Sequence, residues 1–149
     1  MNAAPAARGA ALFRGPPRVL LAEDDPVLRR RLASALADEI ESIEVIEVVD
    51  GAHLFRLLRA AFVWRACEPP DLIVAPLALP GCDGRAVLAL VKNLGRPTLV
   101  VLVAGASDDL AADGLAGAAA VLRAPCDAGA VGSLVRDLTA RPAPLVTIG

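Results

Sequence analysis

The sequence predicts an α/β protein in which five parallel strands form a doubly wound sheet covered on both faces by five helices. Two observations carry this. Between residues 17 and 139, short apolar runs alternate with longer amphipathic stretches, five of each. All but the run over 43–49, which Glu44 and Glu47 interrupt, are continuously apolar, and strands of that kind are buried on both faces, as parallel strands are. Right-handed crossovers between them then favour the doubly wound sandwich.

The run Val-Leu-Leu-Ala at 19–22 is the first strand, stopped by Glu23, Asp24 and Asp25. Asp25 is suited to cap the next helix, with Pro26 at its first position. That helix sets Leu28, Leu32, Ala35 and Leu36 on one face. A second strand over 43–49 ends at Asp50 and Gly51, and a helix over about 52–66 turns Leu54, Leu57, Leu58 and Ala61 inward. Residues 72–75 are a third strand, 85–92 a third helix and 98–103 a fourth strand. A short helix over 108–113 is cut off by Gly114 and Gly117, and 119–122 is the fifth strand. The last helix spans 127–138, although Gly129 and Gly132 each cost it roughly 1 kcal/mol relative to Ala. Residues 1–16 have no apolar period and read as a flexible tail. Residues 140–149, with Pro142 and Pro144, read as a C-terminal tail or the start of a linker.

Composition narrows the function. At 149 residues and 56% hydrophobic types, the chain holds one domain with a substantial core. A net charge of -2 lacks the footprint of a nucleic-acid binder, and 3% aromatics with no Tyr make no stacking platform. Mean hydropathy is +0.56, yet no run approaches the roughly 18 apolar residues of a membrane span. Cys67, Cys82 and Cys126 are spaced for neither a disulfide framework nor a zinc site. The expectation is a soluble, cytoplasmic protein that binds neither nucleic acid nor membrane.

In a doubly wound sheet, ligands and chemistry gather at the carboxyl ends of the strands. The segments there are 23–25, 76–84, 104–107 and 124–126. The relevant stretches read Arg-Val-Leu-Leu-Ala-Glu-Asp-Asp-Pro (18–26), Pro-Asp-Leu-Ile-Val (70–74) and Leu-Pro-Gly-Cys-Asp-Gly (79–84). With the Ala-Pro within 117–127, they make residues 17–139 resemble the receiver domain of bacterial two-component response regulators. The resemblance implies a flavodoxin-like sheet in the order 2-1-3-4-5. It also implies an acidic magnesium-binding pair at Glu23 and Asp24, and a cis bond between Ala124 and Pro125.

The same resemblance exposes departures. Receivers carry a phosphoacceptor Asp five residues before the Gly of Leu-Pro-Gly, and here that position is Pro76. The Thr or Ser ending the fourth strand falls on Val103, the Lys before the Pro on Ala124, and the aromatic switch on Val121. An aspartyl phosphate needs a carboxylate nucleophile, a divalent cation and a cation balancing the phosphoryl group. Pro is neither nucleophile nor ligand, Val donates no hydrogen bond and Ala carries no charge. Asp71 lies at the wrong end of its strand to substitute, and Asp83 reads as the cap of the third helix. The expectation is a non-enzymatic, phosphorylation-independent pseudo-receiver without a cofactor or resident metal. Two acids without a third predict weak magnesium binding, and both also end the first strand and lead into its helix.

Output then passes through contact with a signalling protein or a second copy. Arg29 and Arg30, with Arg31, make a basic cluster on the first helix, and Arg56, Arg59 and Arg65 repeat it on the second. Phe55 and Phe62, seven residues apart, share a helix face that either completes the core or anchors a partner. Ala111 and Ala112 belong to a small-residue surface on the fourth and fifth helices, the usual homodimer face of receivers. A second reading makes the chain a small-ligand sensor, because Pro, Val and Ala turn a charged pocket apolar. An open cavity favours that reading and a collapsed one favours docking alone. A conventional phospho-accepting regulator needs an acid between Val74 and Gly81, and there is none.

Overall fold

The computed structural model describes residues 16–95, 97–110 and 115–140. Five parallel strands build its sheet: β1 (Arg18–Ala22), β2 (Glu44–Val48), β3 (Leu72–Pro76), β4 (Leu99–Ala104) and β5 (Ala120–Arg123). Their order is β2-β1-β3-β4-β5, all pairs parallel, as expected. The helices are α1 (Pro26–Glu39), α2 (Gly51–Leu58), α3 (Gly84–Asn93) and α4 (Ala128–Ala140).

The two-residue period of a strand divides the core. Val19, Leu21, Leu72, Val74 and Val101 face one side, where Leu32, Leu36 and Ile40 of α1 meet Val131 and Val135 of α4. Leu20, Ile73, Val100 and Leu102 face the other, against Leu54 and Leu58 of α2 and Val87, Leu88 and Val91 of α3. Gly132 lies where α4 packs closely on α1: a β-carbon there would stand 2.9 Å from the carbonyl oxygen of Ala35. Close helix packing thus offsets the helix-propensity cost of that glycine.

The caps follow the local sequence. The Asp25 carboxylate accepts from the amides of Val27 and Leu28 at 2.9 and 3.4 Å, ahead of Pro26. Asp50 accepts from His53 N at 2.8 Å at the start of α2, and Asp83 from Arg85 N at 2.9 Å at the start of α3.

Two expectations are corrected. Residues Asp108 to Leu110 are not helical, and 111–113 lie outside the described residues, so four helices rather than five are seen there. In the loop after β3, Ala78–Leu79 pairs antiparallel with Cys82–Asp83 around Pro80 and Gly81, whose φ is 79°. Most consequentially, α2 does not continue as one α-helix. Arg59–Val63 forms a π turn, with Trp64 N donating to Arg59 O at 3.0 Å, and Arg65 then takes φ 54°. An i→i+5 turn adds a residue to the helical repeat, yet Phe55 and Phe62 still pack against the same core cluster. Phe62 is buried in the core at 4% exposure and Phe55 is half-buried against it. Phe62 is therefore no partner anchor.

Candidate functional site

The carboxyl ends of β1, β3, β4 and β5 surround one cavity of about 350 Å³. Pro76 and Val103 are register partners in adjacent strands, and both line it. Ala124 and Pro125, joined by a cis peptide bond, contribute the wall beyond β5. Glu23 enters from the end of β1, and Leu28, Arg31 and Leu32 from α1. Val74 and Val131 are among the apolar residues that complete the lining.

Glu23 is the acid that faces this space. Its amide donates to Val48 O at 3.0 Å, and its carboxylate accepts from Asp25 N at 3.1 Å. Burial pushes its carboxyl above the ordinary value of 4.5, the bond from Asp25 pulls the other way, and the neighbouring acids add to the rise. Asp24 is exposed and does not line the cavity. Among the described residues, no three His, Cys, Asp or Glu side chains converge where a metal ion would sit. The donor set is two neighbouring carboxylates, one already bonded to backbone, with Pro76 where a third would complete the sphere. It does not fit a resident magnesium ion.

The sequence-predicted residues therefore separate. Glu23, Pro76, Val103 and Ala124 come together at the cavity, whereas Val121 is half-buried on the opposite face of the sheet beside α3. Arg29 was expected on a docking surface but is engaged within the fold. Its Nε reaches Glu47 at 3.1 Å and its Nη1 donates to the carbonyl of Glu23 at 2.8 Å. Arg30 is exposed, while Ala111 and Ala112 lie outside the described residues. Arg31 was not anticipated as a cavity residue. The signal was present, because Leu28, Arg31 and Leu32 have the i, i+3, i+4 spacing of one helix face.

Other reactive groups are occupied elsewhere. Asp71 accepts from Arg18 N at 2.8 Å at the amino end of β3. Cys82 packs on the α2–α3 side and Cys126 on the α1–α4 side, and burial raises both thiols. Raised thiols are poor nucleophiles at neutral pH. A wider cleft of about 650 Å³ lies beside the hairpin after β3 and is lined by residues including Asp83, Arg85 and Asp108. Asp83 is committed to capping α3, and Asp108 accepts from Gly105 N at 2.7 Å.

A family model, the response regulator receiver domain, matches residues 19–136. The chain belongs to that family. This receiver domain is 28% identical over 122 residues to the probable transcriptional regulatory protein NarL of Mycobacterium tuberculosis, covering 82% of this chain and 49% of NarL. It is 33% identical over 89 residues to the transcription regulator BvgA of Bordetella pertussis, covering 59% of this chain and 38% of BvgA. The receiver domain thus spans about half the length of NarL or less of such relatives. Among solved structures, it superposes on the signal receiver domain of the M. tuberculosis NarL with a TM-score of 0.68 and 30% identity, covering 83% of this chain and 96% of that one. The receiver domain of a LuxO repressor protein from Vibrio parahaemolyticus gives 0.67 and 26%, with 84% and 90% covered. No helix among the described residues is long and apolar enough to cross a membrane.

Proposed function

We propose that this receiver domain signals without being phosphorylated, as a non-enzymatic pseudo-receiver that works by protein–protein contact in the bacterial cytoplasm. The observation that carries this reading is Pro76. It ends β3 at the cavity, at the position where the family pattern requires the phosphoacceptor carboxylate. Val103 and Ala124 line the same space and supply neither the hydroxyl nor the ammonium that would hold a phosphoryl group. The interacting unit is residues 17–139, the span within which the family model matches 19–136. Its partner is a signalling protein or a second copy rather than nucleic acid or membrane. Arg30, Ala111 and Ala112 remain candidate contacts. The test is incubation with acetyl phosphate and magnesium followed by intact-mass analysis. Unmodified protein is expected, and a phosphorylated species contradicts the proposal.

One observation favours a second reading. The cavity is open, not collapsed by Pro76 and Val103, and about 350 Å³ is within the range of small-molecule sites. A small, mainly apolar ligand held there would make the domain a sensor, with Glu23 orienting it. Methyl NMR with indole as probe tests this. Saturable shifts at Val74, Val103 and Val131 support a ligand site, and unchanged methyl signals remove it.

A further inference from the structure

Phe62 is buried within the π turn, and the residue that follows the turn is an exposed aromatic, Trp64. Val63 and Trp64 are 54% and 63% exposed, large apolar side chains standing side by side in solvent. Leu54, Leu58, Ala61 and Phe62 occupy the buried side of the same segment, so Val63 and Trp64 emerge on the side facing away from the sheet. Arg56, Arg59 and Arg65, in the same stretch of chain, are exposed as well. Among the described residues, none of the three arginines takes part in any of the ion pairs found. This is a local excess of positive charge on a chain whose net charge is -2.

Each component has a physical consequence. An exposed Trp keeps a large apolar area in water and is recovered by burial, which is why Trp and Arg are enriched among the residues that dominate interfaces. Unpaired guanidiniums complement carboxylates in bidentate geometry and can stack on aromatic faces. A π turn is a departure from regular helix that recurs at functional sites.

We infer that the exposed face formed by Arg56, Arg59, Val63, Trp64 and Arg65 docks an acidic protein segment carrying a large apolar side chain. The carboxylates of the segment meet the arginines, and its apolar side chain packs against Val63 and Trp64. The inference deepens the protein-contact reading and rests on it for the existence of a partner. It moves the aromatic anchor from Phe62 to Trp64, eight residues from Arg56.

Trp64 is the single Trp and the chain contains no Tyr, so the indole emission of the intact protein reports on this face alone. The probe is a synthetic peptide of Glu and Asp residues with a central Leu. Control peptides replace the acids by Lys, or the Leu by Ser. Vesicles of anionic phosphatidylglycerol serve as the competing surface. The acidic Leu peptide is expected to shift Trp64 emission to the blue, saturably. Raising ionic strength from about 0.1 to 1 M shortens the Debye length from about 10 to 3 Å and should weaken the binding. The double variant R56E/R59E, altered only at exposed positions, should weaken it at least about tenfold, or ~1.4 kcal/mol. No saturable shift, or equal shifts with the Lys peptide, overturns the assignment. A response to the vesicles but not to the peptide also overturns it, in favour of a membrane surface. Each such failure leaves the phosphorylation-independent reading standing, because that reading is tested by acetyl phosphate and rests on Pro76.

Discussion

Pro76 and Val103 are register partners at the carboxyl ends of β3 and β4, and together they face the cavity that Glu23 enters from β1. In this family that space is where an aspartate would be phosphorylated. Here two of its walls carry no group that reacts with or hydrogen-bonds to a phosphoryl oxygen.

Restoring the carboxylate separates metal binding from phosphoryl transfer. Pro76→Asp sets a third acid beside Glu23 and should tighten magnesium binding at least about tenfold, or ~1.4 kcal/mol. Acetyl phosphate should still leave no stable phosphoprotein, because Val103 and Ala124 are unchanged. Amide NMR titration reads the first outcome and intact mass the second. A variant no more responsive to magnesium than the parent contradicts the account.

Glu23 makes stability depend on pH in a defined direction. Its folded carboxyl titrates above 4.5, chiefly through burial, so over that window the folded chain binds more protons than the unfolded one. Stability therefore falls as pH rises from 4.5 through the raised folded value. Asp71 acts with the same sign from 3.8 upward, again chiefly by burial. Glu23→Gln removes one of these contributions and should give a higher Tm at neutral pH with a flatter profile above 4.5. Thermal unfolding across that range checks this, and a lower neutral-pH Tm for the variant speaks against it.

The two neighbouring arginines of α1 should behave differently. Arg29→Ala removes bonds to Glu23 O and Glu47 and should cost about 1–2 kcal/mol in urea unfolding. Arg30→Ala, at an exposed position, should stay within about 0.5 kcal/mol. Equal losses would show that the Arg29 bridge does not hold the loop after β1.

Gly51 opens α2 against the hairpin that follows β3. A β-carbon there would collide with the Cys82 side chain and the Gly81 backbone, while Gly51 N donates to Pro80 O at 2.7 Å. Gly51→Ala should destabilise by about 1–3 kcal/mol through overpacking. An unfolding midpoint equal to the parent's would mean the hairpin yields freely.

The strands were legible because buried parallel strands are written as continuous apolar runs, such as Val19 to Ala22 and Leu99 to Ala104. The caps at Asp25 and Asp83 were equally legible, since side-chain capping is a local interaction. The π turn was not, because seven-residue spacing of Phe55 and Phe62 assumes an unbroken α-helical repeat. The spacing left open whether Phe55 and Phe62 complete the core or anchor a partner, and the structure takes the first for Phe62 while exposing Trp64. At the site, Pro76, Val103 and Ala124 could be located by counting from Gly81 and Pro125. Arg29 could not be told from Arg30 by composition, because its partners Glu23 and Glu47 reach it only through the packing of β1, β2 and α1.

The most direct measurement is an amide NMR titration with magnesium, then with beryllofluoride, which mimics an aspartyl phosphate. The account predicts no beryllofluoride-dependent shifts at Glu23, Asp24 or Val103. Saturable shifts at those residues would contradict it, because another group would then be completing a phosphorylation site.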